Sequence, residues 1–246
     1  MAMSPRLLRP LATGFNPKSL GTLALWLDGA DRSRMFSDDA ATTLSADDGQ
    51  VAVYKEKANG YNLTQTTANN RPLVRSNIKN GRSVLEFDGS NDSLASPSLV
   101  EDWAALTAFA VFRMDTTGVI GRLFERGQRI WFRNSDALTF YYSGPSGWTT
   151  AAGSVTNNNW FYTTLNWTGA ASGTDAPQRV NGDASGSGSG TTAITSVANQ
   201  PAMIGNRAAG DRPMDGYIAE MLIYSQSLSS AAVAKVEGYL KTKWGL

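Results

Sequence analysis

Gly216-Tyr-Ile-Ala-Glu-Met-Leu-Ile-Tyr224 is the stretch that decides the fold class. It is apolar and reads at a period of two, and a β-strand is the element that sends successive side chains to opposite faces. At that period Tyr217, Ala219, Met221 and Ile223 share one face. Toward the N-terminus, runs of the same kind recur at Leu23 to Leu27, Val51 to Tyr54, Val84 to Phe87, Leu106 to Met114, Arg129 to Phe132, Leu138 to Tyr142 and Trp160 to Trp167. Asp, Asn, Gly and Ser punctuate these runs, and such residues favour turns because they tolerate left-handed backbone or bond nearby amides. Turn signals at intervals of roughly 8–15 residues suit a sandwich or barrel. We therefore expect an all-β fold in which two antiparallel sheets bury the alternating side chains between them.

Beyond Tyr224 the period changes. Val233, Val236, Leu240 and Trp244 form one apolar stripe at helical spacing. Ser229 or Ser230 suits the N-cap of such a helix and Gly245 a left-handed stop. Lys235, Lys241 and Lys243 mostly sit toward the end where the helix dipole favours cations. At the opposite end, residues 1–20 hold Pro5, Pro10, Pro17, Arg6, Arg9 and Lys18 with no apolar period. Proline fixes the backbone and removes a donor, so this segment reads as an extended arm ahead of one domain over residues 21–246. Asp183 to Thr192, rich in Ser and Gly, reads as a flexible hairpin loop inside that domain.

Composition narrows the chemistry. The 246 residues include neither Cys nor His, so no disulfide, thiolate nucleophile, imidazole base or structural zinc site of the usual kind is available. The net charge of +1 is spread without a basic stripe, which argues against nucleic acid as a partner. Apolar runs such as Leu23 to Leu27 and Leu106 to Phe112 are too short to span a bilayer. The first ten residues lack an apolar core of signal-peptide length, so we expect no secretory export.

Several segments then fall in a familiar order. They are Leu23-Ala-Leu-Trp-Leu-Asp28-Gly-Ala-Asp31, Lys57 to Gln65 followed by Arg71-Pro72, and Val84-Leu-Glu-Phe-Asp88-Gly-Ser-Asn-Asp92. Trp160 to Gly169, Val180-Asn-Gly182, Ile204-Gly-Asn206, Gly216 to Tyr224 and Val236 to Leu246 follow. Together they resemble the concanavalin A-like lectin/laminin-G superfamily over residues 21–246. With the arm ahead of it, the chain further resembles virion proteins of tailed bacteriophages. The resemblance implies a jelly-roll sandwich that works by binding: a non-enzymatic virion structural protein, as capsid decoration, head fibre or tail fibre. It implies synthesis in the bacterial cytoplasm, display on the particle, contact with host-surface glycans, and by analogy a homotrimer. Other virion proteins would be partners through Arg6, Leu7, Leu8 and Arg9. A free-standing carbohydrate-binding module and a glycoside hydrolase are the alternatives.

Three constellations carry candidate chemistry. Asp88, Asn91 and Asp92 place three oxygen-bearing side chains within one turn. They serve either as calcium ligands, which the resemblance allows without requiring a cofactor, or as bonding partners for their own turn amides. In Tyr141-Tyr142-Ser-Gly-Pro-Ser-Gly-Trp148, aromatic rings beside turn residues suit stacking on sugar faces, with Tyr141, Tyr142 and Trp148 as contacts. The Gly, Pro and Ser around Trp148 place it in a loop, and the other reading makes it a lid on the core. Trp26, Trp131, Trp160 and Trp167 lie in apolar patterns and are expected in or near the core. Glu86 and Asp88 alternate along one strand, as paired acids of a glycosidase would, but no third acid follows at that step. No catalytic residue is assigned.

Overall fold

In a computed structural model, residues 14–116, 120–143, 146–171, 177–189 and 192–246 are described. They build two antiparallel sheets from β1 (Leu23–Asp28), β2 (Met35–Phe36), β3 (Val53–Lys55), β4 (Asn62–Thr64), β5 (Leu73–Lys79), β6 (Arg82–Asp88), β7 (Leu94–Ala95), β8 (Leu106–Met114) and β9 (Gly121–Arg126). The series continues with β10 (Arg129–Asn134), β11 (Ala137–Ser143), β12 (Ser146–Thr149), β13 (Trp160–Trp167), β14 (Gln178–Val180), β15 (Asp183–Ser185), β16 (Ser187–Ser189), β17 (Met203–Ile204) and β18 (Asp215–Tyr224). One sheet runs β15-β14-β13-β8-β18-β6-β5, with β1 on the second half of β18. The other runs β16-β12-β11-β10-β9-β17-β7-β4-β3-β2. The sandwich expected from the alternating pattern is the fold observed.

Between the sheets lies the main core. Leu25, Leu27, Phe87, Phe112, Leu165, Trp167 and Ile218 on the first sheet meet Leu63, Leu123, Trp131, Phe140 and Tyr142 on the second. Each such side chain, removed from water, contributes about 1.5–3 kcal/mol before ordering costs are counted. Gln178 reaches across this layer. Its carbonyl accepts from Trp131 Nε1 at 2.8 Å, and its amide donates to the carbonyls of Leu138 and Trp148.

A second apolar layer covers part of the outer face of the first sheet. Helix α1 (Ser230–Trp244) sets Val233, Val236, Leu240 and Trp244 against Trp26, Val84, Phe109, Val111, Tyr162, Leu222 and Tyr224. Its caps are those read from sequence: the Ser229 hydroxyl accepts from Ala232 N–H, and Gly245 turns left-handed at φ 63°. Part of the expected arm belongs to this layer. Phe15 packs on Tyr239 with ring centroids 5.8 Å apart, and Tyr224 donates to the Pro17 carbonyl. The anchor residues Arg6, Leu7, Leu8 and Arg9 lie outside the described residues.

A bulge corrects the reading of β18. Its pairing with β8 slips between Ile218 and Glu220, so the strict period of two breaks there. Ile218, Met221 and Ile223 face the inter-sheet core, while Tyr217, Ala219, Leu222 and Tyr224 face outward. Glu220 is fully buried beneath α1 and accepts from Trp26 Nε1, Tyr239 OH, Trp244 Nε1 and Lys243 Nζ at 2.7–2.8 Å. Lys243 also meets Asp28 at 2.6 Å, and Asp28 meets Lys57 at 2.9 Å. Burying this carboxylate is tolerable only because every oxygen is paired.

The Ser-Gly run is not a simple loop. Asp183–Ser185 pairs with β14 in one sheet, and Ser187–Ser189 pairs with β12 in the other. Gly186, at φ 88°, carries the chain between sheets where a Cβ would strike the Thr149 carbonyl. Only glycine adopts that conformation without strain. Arginines are also more deeply placed than their charge implies. Arg126, Arg129 and Arg133 are buried and donate to rim carbonyls of Leu99, Thr195 and Thr116.

Candidate functional site

Outside the patch that α1 covers, the first sheet presents a row of side chains to solvent. In register across five strands stand Trp160 (β13), Arg113 (β8), Tyr217 (β18), Glu86 (β6) and Leu73 (β5), each directly opposite the next. All five are half-buried, seated on the sheet and open on one side. Strand alternation puts them on the face opposite the inter-sheet core, one step beyond the helix-covered Tyr162, Val111, Ala219 and Val84.

The row is held rigidly. Arg113 lies over the Tyr217 ring at 4.4 Å and near Trp160 at 6.0 Å, while the two rings sit 6.1 Å apart. Its Nε and Nη2 donate to the two carboxylate oxygens of Asp115 at 2.7 and 2.9 Å. Among the described residues Nη1 has no acceptor. Tyr217 donates to Glu86 at 2.7 Å, and Arg75 bridges Glu86 and Asp48. Burial, with the bond to Glu86, pushes the Tyr217 phenol up to about 12, so it stays protonated as a donor.

A second row follows toward the strand ends. Asp215 is paired opposite Asp88, and Asp115 N–H donates to the Asp215 carbonyl at 3.0 Å. Burial raises the Asp215 carboxyl above its ordinary range, and the charges of Asp115, Asp88 and Glu86 raise it further. The arrangement offers flat aromatic area, one free guanidinium nitrogen and carboxylate acceptors on an open face. Such groups can stack on and fork to a polyhydroxylated ligand.

The residues singled out from sequence are placed differently. Tyr142 is fully buried and stacks on Trp167 at 5.4 Å, so it is core and cannot meet a sugar. Trp148 stands on strand β12 rather than in a loop, opposite Phe140, packed against the core with Nε1 donating to the Ser185 carbonyl. Tyr141 is half-buried beside Phe132, and strand alternation sends it away from its neighbour Tyr142. The three aromatics therefore do not converge. Trp160, expected in or near the core, is half-buried against the layer beneath α1 and forms one end of the row.

Asp88, Asn91 and Asp92 fold as a self-bonded turn. Asp88 Oδ1 accepts from the amides of Ser90 and Asn91, and Asp92 Oδ2 from the amide of Asp88. Burial pushes the Asp92 carboxyl up to about 6. Among the described residues Asn91 Oδ1 is buried without a partner, but one neutral oxygen does not supply calcium's six or more ligands. Among the described residues no three acidic side chains converge as metal ligands. The residues do not fit calcium. Glu86 and Asp88 do share a face, yet Glu86 is held by Arg75 and Tyr217 and Asp88 by its turn.

No curated protein sequence matches the chain. The family described as the concanavalin A-like lectin/glucanases superfamily matches residues 87–234. Among solved structures, Trypanosoma rangeli sialidase in complex with sialic acid superposes with a TM-score of 0.56 at 13% identity. That match covers 90% of this chain and 33% of the sialidase. The binding domain of Paraclostridial Mosquitocidal Protein 1 superposes with a TM-score of 0.53 at 15% identity, covering 74% of this chain and 49% of that one. The chain thus spans a third to a half of these neighbours, and at such identity the likeness is one of fold. The chain belongs to the concanavalin A-like lectin/glucanase superfamily.

Proposed function

We propose that this chain is a non-enzymatic glycan-binding sandwich whose site is the row Trp160, Arg113, Tyr217 and Glu86. The observation that carries the reading is the in-register alignment of two half-buried aromatic rings with a guanidinium and a carboxylate on the part of the sheet that α1 leaves open. An open face suits binding. Most glycoside hydrolases need two carboxyl groups opposed across a cleft at about 5–9.5 Å, each available to substrate. Here the two acids that alternate on β6 are engaged by protein partners.

A glycan array of the purified protein and its Trp160→Ala and Tyr217→Ala variants tests this. Stacking on one ring is worth about 1–1.5 kcal/mol, so each variant is expected to lose about tenfold in affinity with its circular dichroism unchanged. Loss on Trp148→Ala, with Trp160→Ala unaffected, would move the site to the other sheet.

The sequence resemblance supports a finer setting, in which the sandwich is displayed on a tailed-phage particle and joined to other virion proteins through the arm of residues 1–20, with Arg6, Leu7, Leu8 and Arg9 as the contacts. Phe15 and Leu20 pack against the sandwich, so the test spares them and removes only residues 1–9, which hold Arg6, Leu7, Leu8 and Arg9. Removal of those residues should leave a folded domain that is missing from purified particles by mass spectrometry. Normal incorporation would refute the anchor.

A further inference from the structure

We infer that the exposed row selects uncharged glycans and disfavours sialylated, uronic or sulfated ones, an inference that rests on the glycan-binding reading above. An acidic sugar is best held by a guanidinium with an open fork. Neither arginine on this face offers one. Arg113 spends Nε and Nη2 on Asp115, and Arg75 is shared between Glu86 and Asp48. Each cation is therefore neutralised before a ligand arrives.

The neighbouring row adds repulsion. Asp88 and Asp215 stand directly opposite each other on adjacent strands, and among the described residues neither forms an ion pair. Like charges facing each other across a sheet are unfavourable, so no packing advantage accounts for the pair. The raised carboxyl of Asp215 reflects burial together with its acidic neighbours. Two residues along a strand is about 7 Å, which sets the distance from a ligand on the row to these carboxylates. At that distance in water, two uncompensated charges disfavour a ligand carboxylate roughly fivefold at 0.01 M ionic strength and about twofold at 0.15 M. The preference should therefore fade with salt.

The test compares a neutral oligosaccharide that binds on the array with its sialylated counterpart, by calorimetry at both ionic strengths. It uses wild-type protein and an Asp88→Asn/Asp215→Asn variant, in which Asn keeps the turn acceptor of Asp88. The wild type is expected to prefer the neutral sugar by about fivefold at low salt and about twofold at high salt, with the ratio approaching one in the variant. Equal or tighter binding of the sialylated form at low salt, with Trp160→Ala still weakening both, overturns the charge selection and leaves the glycan site standing. Binding of neither sugar class, with no effect of Trp160→Ala, overturns both.

Discussion

Replacing Asp92 with Asn isolates the electrostatic cost of the Asp88–Asp92 turn. Asp92 is 3% exposed, and its Oδ2 accepts from Asp88 N–H at 3.0 Å. Burial pushes its carboxyl from the ordinary 3.8 up to about 6, with the charges of Asp88 and Glu86 acting in the same direction against the bond from the Asp88 amide. The folded protein therefore keeps this proton at pH values where the unfolded chain has released it. An acid raised in this way contributes stability that is present below pH 3.8 and is lost as pH rises to about 6. A shift of that size corresponds to roughly 2–3 kcal/mol at pH 7. Asn retains an acceptor for the Asp88 amide and has no charge to bury. Urea unfolding of both proteins from pH 4 to 8 should give near-equal stability at pH 4 and a variant more stable by roughly 2–3 kcal/mol at pH 7. Millimolar calcium should change neither profile. Parallel profiles across the range, or calcium stabilisation that disappears in the variant, would refute the reasoning.

Lys243→Met removes the cation that faces buried Glu220, and leaving that carboxylate uncompensated should cost about 3–5 kcal/mol in urea unfolding. Combining it with Glu220→Gln should recover part of the loss. Gly186→Ala forces a side chain onto left-handed backbone against the Thr149 carbonyl. A loss of about 2 kcal/mol is expected, with faster amide exchange in β15 and β16. Tyr142→Ala should cost about 3–5 kcal/mol because it empties the stack on Trp167, whereas half-buried Tyr141→Ala should cost less than half as much.

Where local pattern determines structure, it was readable. Leu106–Met114 and Trp160–Trp167 form strands with the bounds read from sequence, and the terminal helix begins at its Ser cap and stops at its Gly. Those features need only neighbours in the chain. What escaped depends on partners far away. The bulge at Ala219 is set by pairing with β8, and the fate of Ser187–Ser189 is set by β12. Trp148 was read as a loop residue because Gly, Pro and Ser surround it, yet pairing opposite Phe140 makes it a strand residue. Arg126, Arg129 and Arg133 sit inside with rim carbonyls, rather than carboxylates, accepting from them. The exposed row was the least legible part. Arg113 is the one charged residue near the end of a largely apolar strand, a local signal of an open patch, but its alignment with Trp160, Tyr217 and Glu86 exists only in the sheet register.

Indole amide resonances offer the most direct test of the glycan site, since the chain has 7 Trp and the candidate faces hold different ones. Titration of labelled protein with a neutral oligosaccharide from the array, followed by nitrogen–proton correlation spectra, should shift the Trp160 indole and leave those of Trp131 and Trp148 in place. A shift at Trp148 with Trp160 unmoved would contradict the account.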